Sequence, residues 1–178
     1  EICACLVGSE MCIRDRFLYH GGSKTYYRTW NNVARWANMI LNGTYWKFVP
    51  KSLLDDMVRN IAVVNLKKCP GGAIASSKAV RQAARQDADL LKCQIQLYEP
   101  DIILTGGWGL VSNILHDEIF ADDAEWIRPH EETALWYYKS SLVCTGKETL
   151  VVSMPHPNRA AKNWTLELEK VLRATGRS

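Results

Sequence analysis

The sequence is notable first for what it lacks. No apolar run approaches the roughly 20 residues that a membrane helix needs, so no helical span is expected. No internal repeat, low-complexity tract or linker divides the 178 residues, which predicts one domain with its own core. Charge of one sign is not in large excess: the net +3 leans only slightly toward anionic partners. Cysteine is sparse beyond the first sixteen residues. Cys69, Cys93 and Cys144 remain there, without tight spacing, and read as reduced thiols of a cytoplasmic protein, not as a disulfide framework. What is abundant is large rings, with seven Trp and seven Tyr. Such rings fill cores, and they also stack on bases.

Residues 1–16 stand apart. They hold half of the six cysteines, show neither a helical nor a strand period, and lack the charged and long apolar regions of a signal peptide. Back-translated, Met11-Cys12-Ile13-Arg14-Asp15-Arg16 spells the transposon end used as an adapter in sequencing libraries. The segment therefore reads as adapter read-through, outside the fold. The single domain is expected over 17–178, with part of its natural N-terminal region missing.

Periodicity lays out the rest. Residues 17–25 read as a loop, with Gly21-Gly22 permitting positive φ. Trp30, Val33, Ala34, Ala37, Ile40 and Leu41 mark one face of a helix that Asn42-Gly43 ends. A short helix follows Pro50. Residues 61–66 are a continuous aliphatic run, the pattern of a strand covered on both faces. One helix is predicted from Ser76 or Ser77 to about Tyr98, burying Val80, Ala83, Ala84, Leu90, Leu91 and Ile95 and stopped by Pro100. A second buried strand at 101–105 runs into Gly106-Gly107 and a helix to about Leu115. Residues 117–132 read as an acidic irregular connection, 134–138 and 141–144 as strands, 150–153 as a buried strand, and 161–174 as the last helix. Helices alternating with strands predict an α/β fold, a three-layer α/β/α sandwich around a mostly parallel sheet.

The functional signal is positional. Asn65, Gly106-Gly107 and His156 each fall at or just past the end of a predicted strand, and in a parallel sheet those ends share one edge, where α/β folds bind ligands. Asn65 either ties down a neighbouring loop or offers its amide to a planar base edge. The glycine pair either allows tight helix packing or brings backbone N–H groups to a ligand. His156 sits between Pro155 and Pro157, a rigid turn that is either structural or holds a neutral imidazole ready to donate to an oxygen gaining charge. Lys67, Lys68, Arg159 and Lys162 flank that edge, as a solvated rim or as phosphate contacts. Asp87 and Asp89 lie far from it.

In order along the chain, 64–70 (Val-Asn-Leu-Lys-Lys-Cys-Pro), a polar helix ending Gln94-Ile95, 100–106 (Pro-Asp-Ile-Ile-Leu-Thr-Gly) and Pro155-His156-Pro157 resemble the uracil-DNA glycosylase superfamily, most closely its family-four and family-five branches. The resemblance covers roughly 61–172. It implies an enzyme that flips a base out of DNA and hydrolyses its N-glycosidic bond. It gives Asn65 the reading of the uracil edge and His156 the stabilisation of the departing uracil anion. Pro157, Asn158 and Arg159 would probe the DNA stack, and Tyr19, followed by Gly21, would stack on the flipped base. The family's first motif, which positions water, does not appear after Phe17. Family-four enzymes carry an iron–sulfur cluster. Here Cys69 matches one ligand, but Asp87 stands at another and Cys93 is offset, so no cluster or other metal is expected. The expected protein is a monomeric, DNA-binding base-excision enzyme. A catalytically silent nucleic-acid- or nucleotide-binding relative and a nucleoside-processing enzyme are the other readings.

Overall fold

The apolar runs assemble into one five-stranded sheet. The computed structural model describes residues 4–8, 24–67, 76–120, 125–127, 133–141 and 146–177. Strands β1 (Ala4–Gly8), β2 (Ile61–Asn65), β3 (Ile102–Gly106) and β5 (Glu148–Met154) run parallel in the order β2-β1-β3-β5. β4 (Tyr137–Ser141) closes the far edge antiparallel to β5. Every residue of β3 is buried, as its unbroken apolar sequence demands. β2 is an edge strand and is only partly covered, so the expectation of burial on both faces fails there.

Alternation along the strands sends side chains into two separate cores. Ile102, Leu104, Leu150, Val152 and Met154 join helices α1 (Lys24–Asn42), α2 (Lys51–Arg59) and α6 (Trp164–Ala174). Val64, Ile103 and Val151 join α3 (Ser77–Gln86), α4 (Ala88–Tyr98) and α5 (Trp108–Ile114). Helix α1 buries Trp30, Val33, Ala34, Ala37 and Ile40, and Gly43, with φ +62, ends it by donating to the Met39 carbonyl at 3.1 Å.

Several local expectations need correction. Ala4–Gly8, set aside as foreign to the fold, forms the strand between β2 and β3. An adapter origin concerns where those residues came from. Physically, a five-residue apolar run fits a slot lined on both sides by unpaired parallel strand edges. The single helix expected from 76 to 98 is two, with Asp87 (φ −102) between α3 and α4. That break changes the helical phase, so Leu91 and Ile95 remain buried while Leu90 is 56% exposed. The Ser76 cap holds, its hydroxyl accepting from the Ala79 N–H at 3.2 Å. The start of the acidic connection is instead a π-helical turn, Leu115–Phe120. There Glu118 accepts from Arg81 at 3.1 Å and from Arg85 at 2.8 Å. The first of the two strands expected here is Tyr137–Ser141 instead of 134–138; the second, at 141–144, lies outside the described residues beyond Ser141. Helix α1 begins at Lys24, inside the expected loop. No helix among the described residues is long and apolar enough to cross a membrane.

Candidate active site

The parallel register places the ends of four strands in one row. Gly8 pairs with both Asn65 and Gly106, and Gly106 with Met154. The chain leaves this row through Lys67 after β2, Gly107-Trp108 after β3, and Pro155-His156-Pro157 after β5. Asn65, Gly106 and His156, tens of residues apart in sequence, therefore lie along one carboxyl edge, with β1 and β3 between the ends of β2 and β5. Tyr19, Gly21 and Lys68 lie outside the described residues.

The His156 turn is tightly determined. The His156 carbonyl accepts from the Arg159 and Ala160 N–H groups at 2.8 and 3.0 Å. The Asn158 N–H donates to His156 Nδ1 at 3.2 Å. A nitrogen that accepts a backbone N–H cannot carry a proton, so the ring is neutral with its hydrogen on Nε2. The two prolines hold the backbone in place around it.

A second set of bonds anchors this turn from below. Asn32 on α1, 3% exposed, donates through Nδ2 to the Pro157 carbonyl at 2.7 Å and the Ala160 carbonyl at 2.9 Å. Its Oδ1 accepts from Arg35 Nη1 at 2.7 Å. Arg35, 5% exposed, also donates to the Trp46 carbonyl at 3.0 Å and the Lys47 carbonyl at 3.5 Å. No carboxylate among the described residues pairs with this guanidinium. Burial pulls its pKa below the ordinary arginine value, against an opposing effect of Tyr45. Asn38, one turn further on, donates to the Thr44 carbonyl at 2.5 Å.

On the other side of the row, Gly107 adopts φ +154 and donates to the Met154 carbonyl at 3.0 Å, locking β3's exit to β5. A Cβ there would sit 2.8 Å from Val111 Cγ2, so the position requires glycine. Trp108 follows with φ +51, a left-handed conformation that costs a non-glycine residue on the order of 1–3 kcal/mol. Its ring is 42% exposed and meets Trp164 edge-on at 4.8 Å. Beneath it the Ser112 hydroxyl lies 2.5 Å from Thr105 Oγ1, 2.8 Å from Ser153 Oγ and 3.1 Å from the Trp108 carbonyl.

No protein-family model matches this chain, and neither does any curated protein. The site is read from its own geometry. Asn65 is half-buried at the end of β2, and the loop that follows it at 68–75 lies outside the described residues. Lys67 is half-buried beside it. Arg159 and Lys162 are exposed and have no carboxylate partner among the described residues. Of Cys69 and Cys93, only Cys93 lies among the described residues. Cys93 is exposed on α4, and no group of three or more His, Cys, Asp or Glu converges among them. Cys69 is outside them.

Asn32, Arg35, Asn38 and Trp108 escaped the reading of the sequence. The first three carried a faint signal. They recur every three residues along α1, a polar row within a helix whose neighbours are apolar. Trp108 was visible only as a large ring placed directly after a strand-end glycine pair.

Proposed function

We propose that the protein is a DNA N-glycosylase of the uracil-excising kind, built as a three-layer α/β/α sandwich and acting as a cytoplasmic monomer. The observation that carries the reading is the bond from the Asn158 N–H to His156 Nδ1, which assigns the ring hydrogen to Nε2. A neutral imidazole with its hydrogen on Nε2, rigidly held at the strand-end edge, can donate to a uracil oxygen that gains charge as the glycosidic bond breaks. Asn65, in the same row, supplies the acceptor and donors that a pyrimidine edge requires. Gly106 and Gly107 let the backbone approach a flat ring. Lys67, Lys68, Arg159 and Lys162 would meet phosphates and Asn158 would face the base stack, meeting part of the few kcal/mol that flipping costs, whereas Pro157, expected beside it, is buried.

A second reading is favoured by one feature of the row. Among the described strand-end residues, Asn65, Gly8, Gly106 and Met154 include no carboxyl group to position a water, and the segment that follows Gly8 lies outside the described residues. A binding protein that holds a base without cleaving it would have this row too.

Incubation with uracil-containing DNA separates the two. The glycosylase reading expects alkali-labile abasic sites, with turnover reduced ~10²–10³-fold in His156→Ala and in Asn65→Ala, as for the loss of one transition-state donor. Salt-dependent DNA binding with no abasic product would establish the binding reading instead.

A further inference from the structure

Phe48 is 73% exposed, more than most phenylalanines tolerate, yet its loop is firmly held. The two carbonyls before it, those of Trp46 and Lys47, accept from buried Arg35, and the Thr44 carbonyl accepts from buried Asn38. The same α1 row, through Asn32, fixes the turn at 157–160. One buried polar row thus sets the exposed ring beside the His156 turn. Lys162, just after that turn, places its ammonium 4.8 Å from the centre of the Phe48 ring. Lys47, Arg159 and Lys162 are all exposed and have no carboxylate partner among the described residues. A presented aromatic face among exposed cations matches the chemistry of an unpaired nucleic-acid strand, whose bases stack and whose phosphates need countercharge.

From this we infer that Phe48 is a stacking platform for an unpaired base of single-stranded DNA running past the His156 turn, with Lys47, Arg159 and Lys162 facing its phosphates. The inference rests on the reading of this edge as a DNA site, but not on base excision. Duplex DNA without an unpaired base offers Phe48 no ring face to stack on, so the platform also assigns a strand preference.

The test uses the full chain and a mixed-sequence single-stranded oligonucleotide carrying 2-aminopurine, whose fluorescence falls on stacking. The wild type is expected to bind and quench. Phe48→Ala should weaken binding about ten-fold and lose the quench. It should leave the slope of log affinity against log salt unchanged, and Phe48→Trp should restore both affinity and quench. Lys162→Ala should reduce that slope by about 0.7, the release from one single-strand phosphate. Phe48 is on the surface, so these variants are expected to keep the wild-type circular dichroism. Wild-type affinity and quench in Phe48→Ala, or no single-strand binding by the wild type, would overturn the platform. If the wild type binds and quenches but makes no abasic sites, the platform stands and the glycosylase reading falls. If abasic sites form while Phe48→Ala binds like the wild type, the platform alone fails.

Discussion

The two faces of the sheet bury different chemistry. Under α1 and α6 the interior contains Asn32, Arg35 and Asn38, all nearly inaccessible and all bonded to loop carbonyls. Under α3, α4 and α5 the interior is mostly aliphatic, with the buried Tyr138 ring beside Trp126 and the Thr105–Ser112–Ser153 hydroxyls at the strand ends. Charged pairs on that side stay at the surface, where Arg81 and Arg85 meet Glu118. Buried polar groups cost stability unless they are bonded, and these three are bonded. Asn32 donates to the turn at 157–160, past the carboxyl end of β5, while Arg35 and Asn38 donate to the carbonyls of Trp46, Lys47 and Thr44. One layer holds the protein together, and the other also positions its site.

Substitutions can break or sharpen that contrast. The largest effect is expected in the aliphatic layer. Ile114→Ala, at a fully buried position, should cost about 4 kcal/mol in chemical denaturation and leave the His156 ring unchanged. Asn32→Ala should cost somewhat less, about 3 kcal/mol, because it orphans two carbonyls and one guanidinium N–H. Unlike Ile114→Ala, it should also loosen the His156 turn. Asn32→Asp sharpens the point, since it keeps an acceptor for Arg35 but can no longer donate to Pro157 and Ala160. A turn as rigid in Asn32→Asp as in the wild type would show that those two donated bonds do not position it.

Gly107→Ala should cost about 2 kcal/mol, from backbone strain and the Val111 contact, and it falls on the site's other flank. The smallest effect belongs to the surface pairs. The hydrogen bond from Arg85 holds the Glu118 carboxyl below the usual carboxylate range, against burial, with Arg81 adding to the effect. A depressed folded pKa contributes stability above the unfolded value of about 4.3 and loses it as pH falls through the lower folded one. Glu118→Gln should therefore cost about 1 kcal/mol at pH 7, with the difference from wild type shrinking as pH falls below the unfolded value. A difference that grew on acidification would contradict the pairing.

Much of this was legible in the residues. The aliphatic runs at 61–66, 101–105 and 150–153 name three of the parallel strands; burial on two faces explains the last two, whereas the first reads the same way although its strand is a partly covered edge. Their common edge follows from parallel direction alone, which is why Asn65, Gly106 and His156 could be brought together in advance. The break at Asp87 was hidden, since Val80 to Ile95 reads as a nearly continuous helical stripe and a one-residue phase change leaves most of that stripe buried. The strand at Ala4–Gly8 was missed because five residues are too few to show a period, and its place depends on two edges supplied by distant segments. Asn32 and Arg35 were missed for another reason. A polar residue on a helix reads as solvent-facing until the loops that cover it are known.

The most direct test of the account is the protonation of the His156 ring, read from its imidazole nitrogen chemical shifts by NMR in the wild type and in Asn32→Ala. The account predicts a single neutral tautomer in the wild type, with hydrogen on Nε2 and Nδ1 accepting, and a mixture of tautomers once the α1 anchor is gone. A wild-type ring protonated on Nδ1, or a ring indifferent to the loss of Asn32, would contradict it.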